Sequence, residues 1–364
     1  MRQNMISILY DMYTEIGLDA YHVGRFSSKC LEPRTKLPML SQCIMSIPDA
    51  TLARRHCCAA NPFTELEHEN WQRGVQAYAD GFGPLTSQAI PTLLEQADYP
   101  NLDGESTHLL DVACGPGQVV SKAISIAKEA KHGSDGDGVG CNRKYLLTAL
   151  DFSENFLALA KQNIAADHPG TEVTFVEGDA QSMPFDDESF DSITCNFGIL
   201  HLADPDAFLK ESHRVLRPGG ALSFSSWAQP PSTEGFDLIL GSIEAAGNPD
   251  VSLPEGPPFF RFSDEDEIRR SLGNALFHDV HVKKVEPMEW NIRDADHLYQ
   301  VLLEGTARTR EILRGQSAEQ TRAVKEELRR RWKDVTDGGE KPLRMPAIIS
   351  SGRKSGVLGI NEDS

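Results

Sequence analysis

LLDVACGPGQVV, residues Leu109 to Val120, decides the architecture of this chain: an apolar run ends in Asp111 and breaks into a glycine-rich turn that opens a helix. A strand, turn and helix in that order present backbone amides at the helix start, where a phosphate- or nucleotide-bearing ligand finds donors. Gly115 and Gly117 supply backbone angles closed to most residues, so the chain can pass close beneath such a ligand. A dinucleotide turn of the G-x-G-x-x-G kind needs a third small residue, and neither frame provides one. Starting at Ala113 puts Gln118 third, and starting at Gly115 puts Val120 there. The turn therefore fits a nicotinamide dinucleotide poorly.

The same plan returns in LLTALDFSENFLALAKQN, residues 146 to 163, where an apolar run ends in Asp151 and Phe152 and Ser153 reads as the N-cap of the next helix. VTFVEGDAQSMPFDDESFDSITCNFGILHL, residues 173 to 202, and FLKESHRVLRPGGALSFSSWA, residues 208 to 228, then supply strands three, four and five. Asp111, Asp151 or Asp179 alone would be an ordinary strand-end or turn acid. Pro218-Gly219-Gly220 alone is turn chemistry and receives no contact role.

Taken in order, Asp111 with Ala113, Gly115 and Gly117, then Asp151, the Gly178-Asp179-Ala180 step, Phe190-Asp191 and Arg217-Pro218-Gly219-Gly220 resemble class I S-adenosylmethionine-dependent methyltransferases. The resemblance is to the type 11 group, which includes the ubiquinone and menaquinone biosynthesis enzymes, and Ala113 stands where the group usually has its first glycine. It covers Trp71 to Trp227 and is only general beyond. It implies an α/β fold: a doubly wound, Rossmann-like seven-stranded sheet with N-terminal helices and a C-terminal helical cap. S-adenosyl-L-methionine is the implied cofactor and a small molecule the implied methyl acceptor. The implied cofactor-binding residues are Asp111, Ala113, Gly115, Gly117, Asp151, Phe152, Asp179, Ala180 and Asn196. Among them Asp151 accepts from the two ribose hydroxyls and Asp179 meets the adenine amino group.

His201, just past strand four in NFGILHLADPD, is the single candidate general base, since an imidazole can take a proton near neutral pH. The competing reading has it packed under the cofactor or bonded to backbone. An in-line methyl transfer needs alignment in a dry pocket more than covalent chemistry, and needs a base only when the acceptor atom carries an acidic proton. Two rivals remain open here: a non-catalytic S-adenosylmethionine-binding protein, and a nicotinamide-dependent oxidoreductase.

The 364 residues suffice for one main domain with decorations, and a net charge of −18 argues against nucleic acid as a partner. No apolar run approaches the ~20 residues of a transmembrane segment. The expected localisation is cytoplasmic, with organelle targeting by the N-terminal extension as an alternative. Arg329 to Arg331 read as a solvated helix face. The cysteines at 30, 43, 57, 58, 114, 141 and 195 show no paired zinc spacing and suggest reduced thiols, with no metal site. Cys114 and Cys195 read as small apolar side chains.

Four segments follow. Residues 1–60, with a slight excess of basic residues, read as a poorly ordered extension, and residues 61–100 as two helical stretches broken at Gly81-Phe82-Gly83-Pro84. Within the second segment, Trp71 and Tyr78 share a helical face and either cover the site or anchor the core. Residues 101–228 form the cofactor-binding core, with a Gly- and Asp-rich insertion over residues 128–145. Asp135 and Asp137 give that insertion a calcium-loop flavour without completing the motif.

Residues 229–364 finish the sheet and carry an acceptor-side loop and cap. Phe259, Phe260, Arg261 and Phe262 either line an acceptor pocket or anchor a helix capped by Ser263. HDVHVKKVEPMEWNI reads as a strand, two helices follow between about Ala295 and Asp334, and RMPAIISSGRKSG reads as the last strand. Arg308 or Arg310 could meet an anionic acceptor.

Overall fold

The computed structural model describes residues 61–101, 105–133 and 143–356. The extension 1–60 with its four cysteines, Cys141 and the Asp135/Asp137 loop lie outside the described residues.

Helix α1, Pro62–Gly81, starts where Asn61 accepts the amide of Phe63 and Pro62 occupies the first turn, a position that needs no donor. After Phe82 come α2, Gly83–Thr86, a 3-10 turn, Ser87–Ala89, and α3, Ile90–Gln96, so the break falls where the Gly-Phe-Gly-Pro run places it. The core then alternates β1, Ser106–Val112; α4, Gln118–Gly133; β2, Lys144–Asp151; α5, Glu154–Asp167; and β3, Thr174–Glu177. It continues with β4, Phe190–Cys195; a 3-10 turn, Gly198–His201; α6, Pro205–Val215; and β5, Leu216–Trp227.

Next are α7, Glu234–Ala246; α8, Glu265–Asn274; β6, His278–Val285; and β7, Glu289–Trp290. Three helices follow, α9, Ala295–Gly305, α10, Arg308–Arg314, and α11, Ala318–Val335, before β8, Leu343–Arg344, and β9, Ala347–Arg353.

Seven strands form one sheet in the order β3-β2-β1-β4-β5-β9-β6. β1 to β5 are parallel, and β9 runs antiparallel between β5 and β6. β1, β4 and most of β5 are covered on both faces, so small polar residues such as Ser192, Thr194, Ser223 and Ser225 are buried there beside the apolar ones. The order reverses direction at β1, and the crevice outside the carboxyl ends of β1 and β4 is where an open α/β sheet takes its ligand.

Several local expectations are corrected. The predicted pair of cap helices is three, because Gly305-Thr306 breaks the first run and Gly315 ends the second; a capping box between Ser317 and Gln320 then starts α11. The N-cap of α8 is Asp264, which accepts from the amides of Asp266 and Glu267. The Ser263 hydroxyl instead donates to the Phe260 carbonyl. HDVHVKKV ends as a strand at Val285, before Pro287, and Glu289-Trp290 leaves the sheet to form a two-stranded ribbon with β8. Pro218-Gly219-Gly220 lies within β5 at a shift of register against β4, with Gly219 at φ +83°, so it is a turn absorbed into a strand.

Arg329, Arg330 and Arg331 pair with Asp296, Glu327 and Glu327, as a solvated helix face would. No helix among the described residues is long and apolar enough to cross a membrane.

Candidate active site

The turn after β1 is held in an unusual backbone state. Ala113, Gly115 and Gly117 all have positive φ, at 53°, 51° and 84°. Gly117 is fixed by packing as well, since a Cβ there would stand 3.1 Å from Cβ of Ala160 on α5. Gly115 has open space where a Cβ would point, as a position facing a ligand should. Its amide donates to Oδ2 of Asp151 at 2.9 Å, while Oδ1 of Asp151 accepts the amide of Ser153 at 2.9 Å. Ser153 then caps α5 by accepting from Phe156. One carboxylate at the end of β2 thus ties the glycine turn to the next helix start. Burial pushes its pKa up to about 6, against the lowering effect of those amides.

The left-handed Ala113 has a steric counterpart. A Cβ at Gly198 would collide with Cβ of Ala113 and stand 2.9 Å from Sγ of Cys195. Gly198→Ala is therefore expected to cost about 1–3 kcal/mol of stability as overpacking. Ala113→Gly in the same chain should restore at least half of that loss. Thermal melts of the single and double variants check it, and equal loss in both would refute the contact.

A cavity of about 230 Å³ opens at the carboxyl ends of these strands. Ala113, Gly115, Asp151, Phe152, Asp179, Ala180, Asn196 and His201 all line it, so most of the sequence-derived set is brought to one place. Two members stand apart. Gly117 packs on Ala160 instead of facing the cavity. Asp111 is fully buried beneath the turn, with Oδ1 accepting from the Thr194 hydroxyl at 2.9 Å and Oδ2 without a partner. Burial raises its pKa to about 8, with the nearby Asp151 charge adding to the shift.

Asp179 is exposed and accepts from both the amide and the side-chain nitrogen of Gln181 through Oδ1. Asn196 lines the cavity with its amide already engaged: it donates to the Thr86 carbonyl and accepts from Ser225. That residue ties the N-terminal helices to the end of β4. Cys114 and Cys195 are buried thiols whose pKa values burial drives upward, in keeping with small apolar roles. No cluster able to hold a metal ion occurs among the described residues.

The other half of the cavity is aromatic and combines side chains of α5 and of the ends of β4 and β5 with others from α1, α7 and the loop before α8. Trp71 and Tyr78 of α1, Phe82, Phe156, Phe197, Trp227, Phe236, Phe259 and Phe260 face it, so Trp71 and Tyr78 both cover the site and anchor the core. The Phe259–Phe262 run divides its labour. Phe259 and Phe260 line the cavity, Phe262 packs edge-on to Phe224, and Arg261 turns away to Asp206 and Glu267. Arg310 is buried, with its guanidinium on the carbonyls of Asn70, Leu303 and Glu304, so it clamps α9 and α10 to α1 and is not free for an acceptor. Arg308 does reach the cavity, lying over the Phe63 ring and donating to the Pro254 carbonyl.

His201 sits at the cavity wall with its side chain 23% exposed, edge-on to Trp71 with ring centroids 4.8 Å apart. Its Nδ1 lies 3.0 Å from Oε2 of Glu67, and the same oxygen accepts the Trp71 indole N–H at 2.9 Å. Glu67 is completely buried and its Oε1 has no partner. Sequence reading passed over Glu67, because a glutamate in TELEHEN carries no local signal of burial; its four-residue spacing from Trp71 was the available clue.

A parallel sheet reversed at β1, an antiparallel final strand and a glycine turn clasped by an acid at the end of β2 define a class I methyltransferase with a Rossmann-like fold. The family model for a methyltransferase domain of type 11 matches residues 110–224. Among relatives, the chain is 40% identical over 184 residues to a demethylmenaquinone methyltransferase of Staphylococcus epidermidis, covering 48% of this chain and 69% of that protein. It is 31% identical over 184 residues to the protein of the same name from Staphylococcus saprophyticus, covering 48% and 71%. A solved structure of a putative methyltransferase from Bacillus halodurans aligns with TM-score 0.43 and 21% identity, over 73% of this chain and 98% of that one. The chain belongs to the type 11 family of class I S-adenosylmethionine-dependent methyltransferases. It is accordingly an enzyme that transfers a methyl group from S-adenosylmethionine to a small molecule.

Proposed function

We propose that the enzyme methylates a small, largely apolar aromatic molecule, and that nucleic acid is not an acceptor. The observation that carries this reading is the composition of the cavity: a polar end at Gly115, Asp151 and Asp179, continuous with a wall of nine aromatic side chains contributed by α1 and its C-cap, α5, α7, the ends of β4 and β5 and the loop before α8. The net charge of −18 supports the exclusion of nucleic acid. The demethylmenaquinone methyltransferases bear a name that implies an apolar aromatic acceptor, which agrees with this wall.

The residues present fit the cofactor. Gly115 leaves open space above the turn, and each Asp151 oxygen accepts one backbone amide and keeps a lone pair for a ribose hydroxyl. Asp179 retains Oδ2 for an adenine amino group, and Ala180 and Phe152 would flank the ring. S-adenosylmethionine supplies a methyl group on a sulfonium, already a good leaving group. The chain's part in an in-line displacement is to hold the acceptor in line, exclude water with the aromatic wall, and take up a proton where the acceptor atom carries one. We assign that role to His201, whose position on the cavity wall supports it.

Isothermal titration with S-adenosylmethionine and S-adenosylhomocysteine, with NADH as a control, tests the cofactor site. Saturable binding of both, about tenfold weaker in Asp179→Ala, is expected from the loss of one hydrogen bond to a charged acceptor. Binding of NADH in their place would overturn the assignment.

A further inference from the structure

We propose that Glu67 is a positioning residue for His201, and that the acceptor is an aromatic molecule whose reacting group is a ring hydroxyl. The proposal rests on the cavity being the methyl-transfer site. Three observations support it. Glu67 is fully buried, yet its Oε2 gathers two donors, the Trp71 indole at 2.9 Å and His201 Nδ1 at 3.0 Å. A carboxylate removed from water is costly to stability unless its partners offset the cost, which gives weight to the bond that Glu67 makes with His201. The partner is the imidazole on the cavity wall, within ring contact of Trp71 and Phe259.

The consequence is chemical. Which imidazole nitrogen carries the proton is set by the bond the other makes. With Nδ1 donating to Glu67, Nε2 is left as the acceptor, and its lone pair is available to a molecule in the cavity. The hydroxyl oxygen forms its bond to the methyl carbon as the methyl–sulfur bond breaks, the sulfur keeping that electron pair as a neutral thioether. The hydroxyl proton passes to Nε2. The imidazolium then stands beside the Glu67 carboxylate, which balances its charge until the proton returns to solvent. A thioether acceptor has no proton to give and gains nothing from this pair, and a neutral amine gains little before its bond to carbon is made. A ring hydroxyl, weakly acidic and carried on an apolar face, uses both the base and the aromatic wall.

Trp71 joins the two functions. Its indole holds the same Glu67 oxygen while its ring meets His201, so the pair is fixed in direction before any acceptor enters. The pair also bridges 134 residues of sequence, from α1 to the turn after β4. The base is therefore complete only when α1 is docked, a docking secured by Gln72 on Ser153 and by Arg310 on Asn70.

The test has two arms. Imidazole nitrogen-15 spectra at pH 8 should show His201 of the wild type protonated on Nδ1, and Glu67→Gln should move a substantial fraction to the Nε2–H form. A wild-type ring protonated on Nε2, or a tautomer indifferent to Glu67→Gln, would overturn the positioning role. In the second arm, 1-naphthol and 2,4-dinitro-1-naphthol are supplied with S-adenosylmethionine. Glu67→Gln should lower kcat for 1-naphthol about 100-fold with KM within about twofold, and His201→Gln at least as much. Both losses should shrink below about fivefold for the dinitro compound, which is already ionised. Glu67→Asp should recover part of the rate.

An equal loss with both naphthols would mark Glu67 as merely structural, and absence of transfer to either naphthol would refute the ring-hydroxyl class. S-adenosylmethionine binding by calorimetry separates the readings: if the wild type fails to bind, the site assignment itself falls, whereas binding with an unaffected tautomer and rate sinks only this proposal.

Discussion

Asp151→Ala should weaken S-adenosylmethionine binding about 100-fold or more. Asp151 closes β2, is buried, and spends one lone pair of each oxygen on the amides of Gly115 and Ser153. On the proposed reading, the remaining lone pairs accept from a ribose diol. Hydrogen bonds to a charged group contribute about 1.5–3 kcal/mol each, so losing two removes about 3 kcal/mol or more, and each 1.4 kcal/mol is a factor of ten. The Gly115 amide would lose its partner in the same variant and the turn would loosen.

The pH dependence follows with a definite sign. Because burial raises the Asp151 pKa to about 6, the carboxylate form that the proposed role requires is depleted below that pH in the free enzyme. Affinity is expected to be constant above about pH 7 and to fall by roughly tenfold per unit well below 6, as binding requires proton release. Calorimetry at several pH values decides it, and affinity that is flat down to pH 5, or unchanged in Asp151→Ala, would be incompatible with this role.

The ligand-free protein should lose stability as pH rises from about 6 to 8, and Asp111→Asn should abolish that loss. Asp111 is wholly buried, one oxygen is unpartnered, and its pKa is raised to about 8 from an ordinary 3.8. In the unfolded chain the group is ionised above about pH 4, whereas in the folded chain it keeps its proton to near 8. The folded state therefore binds more protons in that window, so unfolding free energy declines as pH climbs through it and levels off above. A shift of one unit is 1.36 kcal/mol, which makes the whole effect of the order of a few kcal/mol.

Asp151 acts in the same sense, but only up to about pH 6. His108 and His213, whose pKa values burial lowers, act in the opposite sense below about 6.5. The interval from 6.5 to 8 thus isolates Asp111 among these four. Denaturant melts of both proteins across that interval measure it. Parallel curves for wild type and Asp111→Asn would show that Asp111 does not carry the slope.

Asp111 also shows where motif reading reaches its limit. The strand-turn-helix pattern placed it correctly at the end of β1, one residue pair from the glycine turn. Pattern alone could not distinguish a carboxylate facing the cavity from one buried beneath it on Thr194, an 83-residue separation in sequence. Arg308 and Arg310, two positions apart, make the same point. Only packing separates the one at the cavity wall from the one clamped on backbone carbonyls of α1 and α9.

The cap was legible in kind but miscounted. Helix breaks such as Gly305-Thr306 and Gly315 are weak local signals that tertiary contacts confirm or override. The strand signal through Glu286-Pro287-Met288-Glu289-Trp290 was misleading for a related reason. Alternation says that a segment is extended, not which neighbour it pairs with, and Glu289-Trp290 pairs with Leu343-Arg344 outside the main sheet.

By itself the sequence determined the strand–turn–helix alternation of the core, the glycine turn after β1 and the acids near the strand ends. Each of these is a contiguous strand, turn and helix whose residues act through their own backbone angles and nearest neighbours. Only the tertiary structure decided what those acids and the added helices do. The burial that raises the Asp111 and Asp151 pKa values, the aromatic wall gathered from α1, α5, α7, the ends of β4 and β5 and the loop before α8, and the contact of Glu67 with His201 all join residues distant in the chain. Desolvation and side-chain partnership belong to the packed interior, and no local stretch of sequence carries them.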